Sequence, residues 1–132
     1  MQPTHERFRD AALSGDLEAM RPLLADDVVF RSPAVHRPYE GVEAVMFLLG
    51  HVVRTFEDFR YVDALTGPDS AALVFAARVG DRELQGLDHM RLDADGRITE
   101  LTVMVRPLSG LTALAEAMGA RIQAAQPAAG DG

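Results

Sequence analysis

The residue with most chemistry to offer is Asp88, because of the row it stands in. Residues 82 to 92 alternate as a strand, which puts Leu84, Gly86, Asp88, Met90 and Leu92 on one face and Glu83, Gln85, Leu87, His89 and Arg91 on the other. The first row is apolar apart from one carboxyl. Such a carboxyl must find a donor or keep its proton, since desolvation disfavours the charged form. In a cavity it would serve as a neutral acid or as a base. In a packed strand it would accept one structural hydrogen bond, and on a bulged strand it would face water.

Other reactive side chains are sparse. His36 lies in the loop Pro33 to Gly41, beside Arg37 and Tyr39, where it either lines the mouth of a pocket and supplies a base or is simply solvated. Ser32 shares a face with Val28 and Phe30, so it ends an apolar row or opens the Ser32-Pro33 turn. The four histidines, 5, 36, 51 and 89, show no two-step or four-step pairing, and no metal site is expected. Asp93 to Ile98 has a calcium-loop look, but Arg91 and Thr102 occupy the ligand positions that matter, so an aspartate-glycine turn is the better reading. There is no phosphate-cradling glycine loop and no glycine-flanked serine, which argues against a nucleotide cofactor and against serine-hydrolase chemistry. No cofactor is expected.

The elements that must position these groups read as helices first, strands next and a last helix. Residues 4 to 14, with Thr4 as N-cap, form a helix that stops at Ser14-Gly15. Asp16 caps a shorter helix that Pro22 interrupts. Val28 to Ser32 is a strand, and the two prolines and the glycine of residues 33 to 41 make an ordered loop. Val42, Val45, Met46, Leu49, Val52, Val53 and Phe56 recur at three- and four-residue steps, the stripe of a long helix. Strands follow at about 58 to 65, 70 to 79, 82 to 92 and 97 to 106, linked by turns short enough for antiparallel hairpins. Ser109 caps a final helix reaching Ile122, and residues 123 to 132 read as a disordered tail. Helices followed by a meandering sheet make a single α+β domain over residues 1 to 122, with the sheet curled around the long helix.

The chain has 132 residues, 13 basic against 20 acidic side chains, a net charge of −7 and no cysteine. That length suffices for one domain with its own core. Disulfides and thiolate chemistry are excluded. The acidic balance, with no basic run, argues against nucleic acid and anionic membranes as partners. No stretch approaches ~18 uninterrupted apolar residues, and the first residues lack a basic patch followed by an apolar run, so a cytoplasmic protein is expected. Residues 71 to 79 are apolar on both faces, which calls for cover on each side and suggests a homodimer formed through the sheet.

Five fragments, in this order and spacing, carry a resemblance. They are Ser14-Gly15-Asp16-Leu17-Glu18, Leu24-Ala25-Asp26-Asp27-Val28, Pro38 to Gly41, Leu87-Asp88-His89-Met90-Arg91-Leu92 and Asp95-Gly96-Arg97-Ile98. From residue 5 to about 122 the chain resembles the nuclear transport factor 2-like superfamily, and within it the SnoaL-like polyketide cyclases and ketosteroid isomerases. The resemblance implies a cystatin-like cone, in which a curved antiparallel or mixed sheet wraps around helices and encloses a pocket, with frequent dimerisation through the sheet. It places Asp88 at the position of the family's protonated strand aspartate. The family's tyrosine position resembles Phe8, which cannot donate, and its base position, before Pro33, resembles Ser32, which is no base at neutral pH. Ordinary ketosteroid isomerisation is therefore not expected. The limonene-epoxide-hydrolase branch is no better matched, because its last-strand carboxylate would lie near Val103.

Two functions stay open. One is a binding domain for an apolar, carbonyl-bearing small molecule, with Asp88 donating an orienting hydrogen bond. The other is a cyclase or isomerase using Asp88 as general acid and His36 as base on a polyketide-like or steroid-like substrate. In both, Phe8, Phe30, Ser32, Tyr39, Met90 and Val103 are the expected ligand contacts.

Overall fold

The computed structural model describes residues 2 to 125. Helix α1 (Thr4–Ser14) is followed by the single turn α2 (Leu17–Met20) and a 3-10 turn, Arg21–Leu23. Strand β1 (Leu24–Arg31) and the two-residue β2 (Tyr39–Glu40) precede the long helix α3 (Val42–Thr55). Then come β3 (Glu57–Gly67), β4 (Ser70–Val79), β5 (Arg82–Leu92), β6 (Ile98–Arg106) and α4 (Leu108–Ala125).

Most elements end where local chemistry says they should. Gly15 takes the left-handed conformation, φ 72°, and closes α1, its N–H bonding the carbonyls of Ala11 and Ala12. Asp16 caps α2 by accepting from the Ala19 N–H at 3.2 Å. Pro22 sits where the α-helical ladder gives way to the 3-10 turn. Thr4 behaves otherwise than expected. Pro3 holds the N-cap position, and the Thr4 hydroxyl, released from capping, donates to the Gly96 carbonyl at 2.6 Å and ties α1 to the β5–β6 turn. That turn is closed by Asp93, whose Oδ1 accepts from the N–H groups of Asp95 and Arg97.

The strands form one six-stranded sheet in the order β2-β1-β6-β5-β4-β3. The hairpins β3–β4, β4–β5 and β5–β6 are antiparallel, whereas β1 lies parallel to β6, so the sheet is mixed. The first strand begins four residues earlier than its apolar run announces, because Leu24 and Ala25 are buried ahead of the exposed pair Asp26-Asp27. The loop after it contributes β2, which the prolines conceal. Residues 123 to 125 of the expected tail continue α4, and residues 126 to 132 lie outside the described residues.

The concave face of the sheet packs on helices. Phe8 and Ala11 of α1, Val45, Met46, Leu48 and Leu49 of α3, and Val28, Leu73, Met90 and Leu101 of the sheet form the main core. A second cluster, Phe75, Ala77, Leu84 and Leu114, joins the far end of the sheet to α4. Among the described residues, no helix is long and apolar enough to cross a membrane.

Candidate functional site

The space left between the two clusters is a cavity of about 610 Å³, walled by α1, α3, α4, the Ser32 to Val35 loop and inward-facing residues of β1, β3, β4, β5 and β6. Its lining is apolar apart from Ser14, Ser32, Tyr39, Arg54, Tyr61 and Asp88. Among the described residues Asp88 is the sole carboxyl on the wall.

Strand alternation places Asp88. Its cross-strand neighbours are Leu73 on β4 and Val103 on β6, both apolar, and only 8% of Asp88 is exposed. Burial pushes its carboxyl up from 3.8 to about 7, against the opposing pull of a hydrogen bond from Tyr61. The group is thus poised between acid and carboxylate near neutral pH. Tyr61 reaches across β4 from β3, its Oη donating to Asp88 Oδ2 at 3.3 Å. Burial, and then the charge of Asp88, raise the Tyr61 hydroxyl far above the ordinary tyrosine value, so it remains a donor.

The wall around this pair is aromatic. Phe59 stacks on Phe75 with ring centroids 5.0 Å apart, Phe56 lies 5.3 Å from Phe75, and Tyr61 meets Phe59 edge-on at 4.9 Å. Phe75 lies over β5 because its partner in register is Gly86, and a Cβ there would come within 2.6 Å of the Phe75 ring carbons Cε1 and Cε2. The missing side chain on β5 is what admits the ring.

The structure sorts the expected site residues. Phe8, Phe30, Ser32, Tyr39, Asp88 and Val103 all line the cavity. Met90 does not. It follows Asp88 on the same face but is fully buried in the main core, where α1 and α3 pack on the sheet. His36 does not either. Its loop lines the cavity through Val35, and His36 itself is exposed and off the wall. Ser32 Oγ accepts from the Ala34 N–H at 3.0 Å, so the hydroxyl closes the turn at the edge of the cavity.

Tyr61 is the residue that the sequence reading missed. A signal existed, since Phe59 and Tyr61 stand two apart and so share a face. The register shift between Tyr61 and Asp63 on β3 breaks that alternation immediately afterwards and hides it.

Residues 5 to 101 match the SnoaL-like domain. The chain belongs to the SnoaL-like family. Solved structures agree with that assignment. A steroid delta-isomerase from Pseudomonas aeruginosa is 46% identical, with 92% of this chain and 90% of that one covered and a TM-score of 0.88. An uncharacterised bacterial protein with a cystatin-like fold, from Silicibacter pomeroyi, is 34% identical over 93% of this chain and 87% of that one, also at 0.88. IdmH, a candidate polyketide cyclase from Streptomyces antibioticus, shares the fold at 24% identity and a TM-score of 0.67, with 85% and 96% covered. No curated protein matches the chain. The SnoaL-like fold, with its cystatin-like mixed sheet and helices, is that expected from the fragments around Asp16, Asp88 and Gly96.

Proposed function

We propose that this SnoaL-like protein binds an apolar small molecule carrying a carbonyl group, with the carbonyl oxygen held at the Asp88–Tyr61 pair. The observation that carries this reading is a carboxyl in an otherwise apolar stretch of wall, raised to about 7 by burial and beside a phenol that stays protonated. A protonated Asp88 has one proton to give to an uncharged oxygen, and the Tyr61 hydroxyl, spent on Oδ2, orients the carboxyl for it. An ordered apolar cavity with a few convergent polar groups is the usual form of a small-molecule site.

A second reading is favoured by the 46% identical relative named as a steroid delta-isomerase. In it Asp88 is a general acid, protonating or hydrogen-bonding the oxygen of a polyketide-like or steroid-like substrate as negative charge builds there. This chemistry also needs a base. Ser32 closes a turn and His36 lies off the wall, so the binding reading comes first.

One experiment separates the two. 2-Decanone labelled with ¹³C at its carbonyl is titrated into the protein, and androst-5-ene-3,17-dione is incubated with it while the ultraviolet absorbance of the conjugated enone is followed. Binding with a downfield carbonyl shift that Asp88→Leu removes, and no enone formation, supports the binding reading. Enone formation lost in Asp88→Leu supports the enzyme. Neither binding nor turnover overturns both.

The same proposal includes a homodimer. Val74, Leu87 and Met104 are cross-strand neighbours on the outer face of the sheet, and Met104 is 57% exposed. Val62 and Leu65 of β3 extend this apolar surface, exposed by 57% and 54%. A row of this kind is self-complementary about a two-fold axis, and a second copy is the occupant that would cover it.

A further inference from the structure

We infer that the ligand of this cavity also carries a negative charge, bound at the mouth by Arg54. This rests on the pocket reading above and narrows it to amphipathic anions, molecules with a carbonyl on an apolar body and a carboxylate or similar group at the other end.

The two ends of the cavity differ. Its buried lining residues include Phe75, Asp88 and Leu101, whereas its exposed ones are Leu13, Ser14, Gly15, Ala34, Val35, Arg54 and Gly119. The exposed set marks the mouth, and among the described residues Arg54 is the only charged side chain in it. A ligand whose carbonyl meets Asp88 therefore extends toward Arg54.

Arg54 is placed and unspent. It occupies the last turn of α3, and its Nη1 lies 4.0 Å from where a Cβ on Gly50 would stand, so the side chain runs back along the helix beside the cavity residue Leu17. Among the described residues it forms no ion pair, while Arg9, Arg21, Arg31, Arg78, Arg82 and Arg91 each face a carboxylate. The Arg121 guanidinium of α4 donates to the Arg54 backbone carbonyl at 2.9 Å and so satisfies the end of α3 without engaging the Arg54 side chain. In a chain of net charge −7 a guanidinium without a carboxylate partner, lining the cavity, invites an anion. All 13 basic residues of this chain are arginine, and the planar guanidinium suits a two-oxygen acceptor such as a carboxylate.

The test uses two fluorescent probes with the same ring system, 8-anilinonaphthalene-1-sulfonate, which is anionic, and N-phenyl-1-naphthylamine, which is neutral. Their Kd values are measured on the wild-type protein and on Arg54→Gln, Arg54→Glu and Arg54→Lys. The wild type is expected to favour the anionic probe, with the ratio of affinities falling about fivefold to tenfold in Arg54→Gln, further in Arg54→Glu, and least in Arg54→Lys. Both probes bound with a ratio that Arg54→Gln leaves unchanged overturns the anion site, leaves the pocket standing, and reduces Arg54 to a helix-end charge. Neither probe bound overturns the pocket together with the anion site.

Discussion

Tyr61 donates its hydroxyl proton to Asp88 Oδ2 at 3.3 Å, reaching across β4 from one strand of the sheet to another. The bond joins a phenol that holds its proton to a carboxyl that titrates near neutrality, and both face an apolar wall. Each group thereby sets the other. The hydrogen bond holds Asp88 below the value that burial alone would give, and a charged Asp88 keeps Tyr61 from ionising.

The stability of the protein therefore depends on pH through Asp88. Because its folded value is raised from 3.8 to about 7, the folded state binds more protons than the unfolded one between those limits. Stability from this group is fully present below ~3.8, declines as pH rises to about 7, and is flat above, with a total loss of at most about 4 kcal/mol. Asp88→Asn, which keeps an acceptor for Tyr61 without the charge, should gain stability over wild type at pH 8 and little at pH 4. Urea melts at the two values check this.

Tyr61→Phe removes the bond that favours the charged carboxyl. Asp88 should then titrate at higher pH than in wild type, visible in the ¹³C chemical shift of its carboxyl. Binding of labelled 2-decanone at pH ~7 should hold or tighten, because the protonated fraction of Asp88, the donor to the carbonyl oxygen, rises. An unchanged titration would mean that the Tyr61 bond is broken in solution.

Gly86→Ala places a methyl against the Phe75 ring. The ring must leave its seat between Phe56, Phe59 and Tyr61, with a loss on the order of 1–3 kcal/mol in unfolding free energy. Probe binding should fall as well, because the aromatic wall moves. Denaturant melts combined with titration of N-phenyl-1-naphthylamine report both effects.

Met104→Glu introduces a charge at the β6 end of the outer apolar row of β4, β5 and β6. Light scattering of the eluted protein should show a dimer for wild type and a monomer for the variant. A wild-type monomer at the same concentration would refute the sheet-mediated dimer.

Much of this arrangement was legible in the sequence, and its limits have physical causes. Alternation along residues 82 to 92 was enough to aim Asp88 inward, because the side-chain period of a strand is fixed. The helical stripe from Val42 to Phe56 was equally readable. Alternation does not say how deep a residue lies, so Met90, on the same row as Asp88, was expected in the cavity and lies in the core instead. Loop position says still less. His36 follows Val35 by one residue, yet the wall takes Val35 and Tyr39 and passes His36 by. Tyr61 escaped notice for a third reason, since its bond to Asp88 spans 27 residues and depends on the curvature and bulge of β3. Pairings of that kind arise only when the sheet closes.

The most direct measurement is the titration of Asp88 by carbon-detected NMR on the intact protein, with Asp88→Asn to assign the signal. A midpoint near 7, moving upward in Tyr61→Phe, is the predicted result and identifies a desolvated carboxyl paired with Tyr61. A midpoint at or below the ordinary value of ~3.9 would contradict it, leaving a solvated or fully bonded carboxylate that could not donate to a ligand carbonyl at neutral pH.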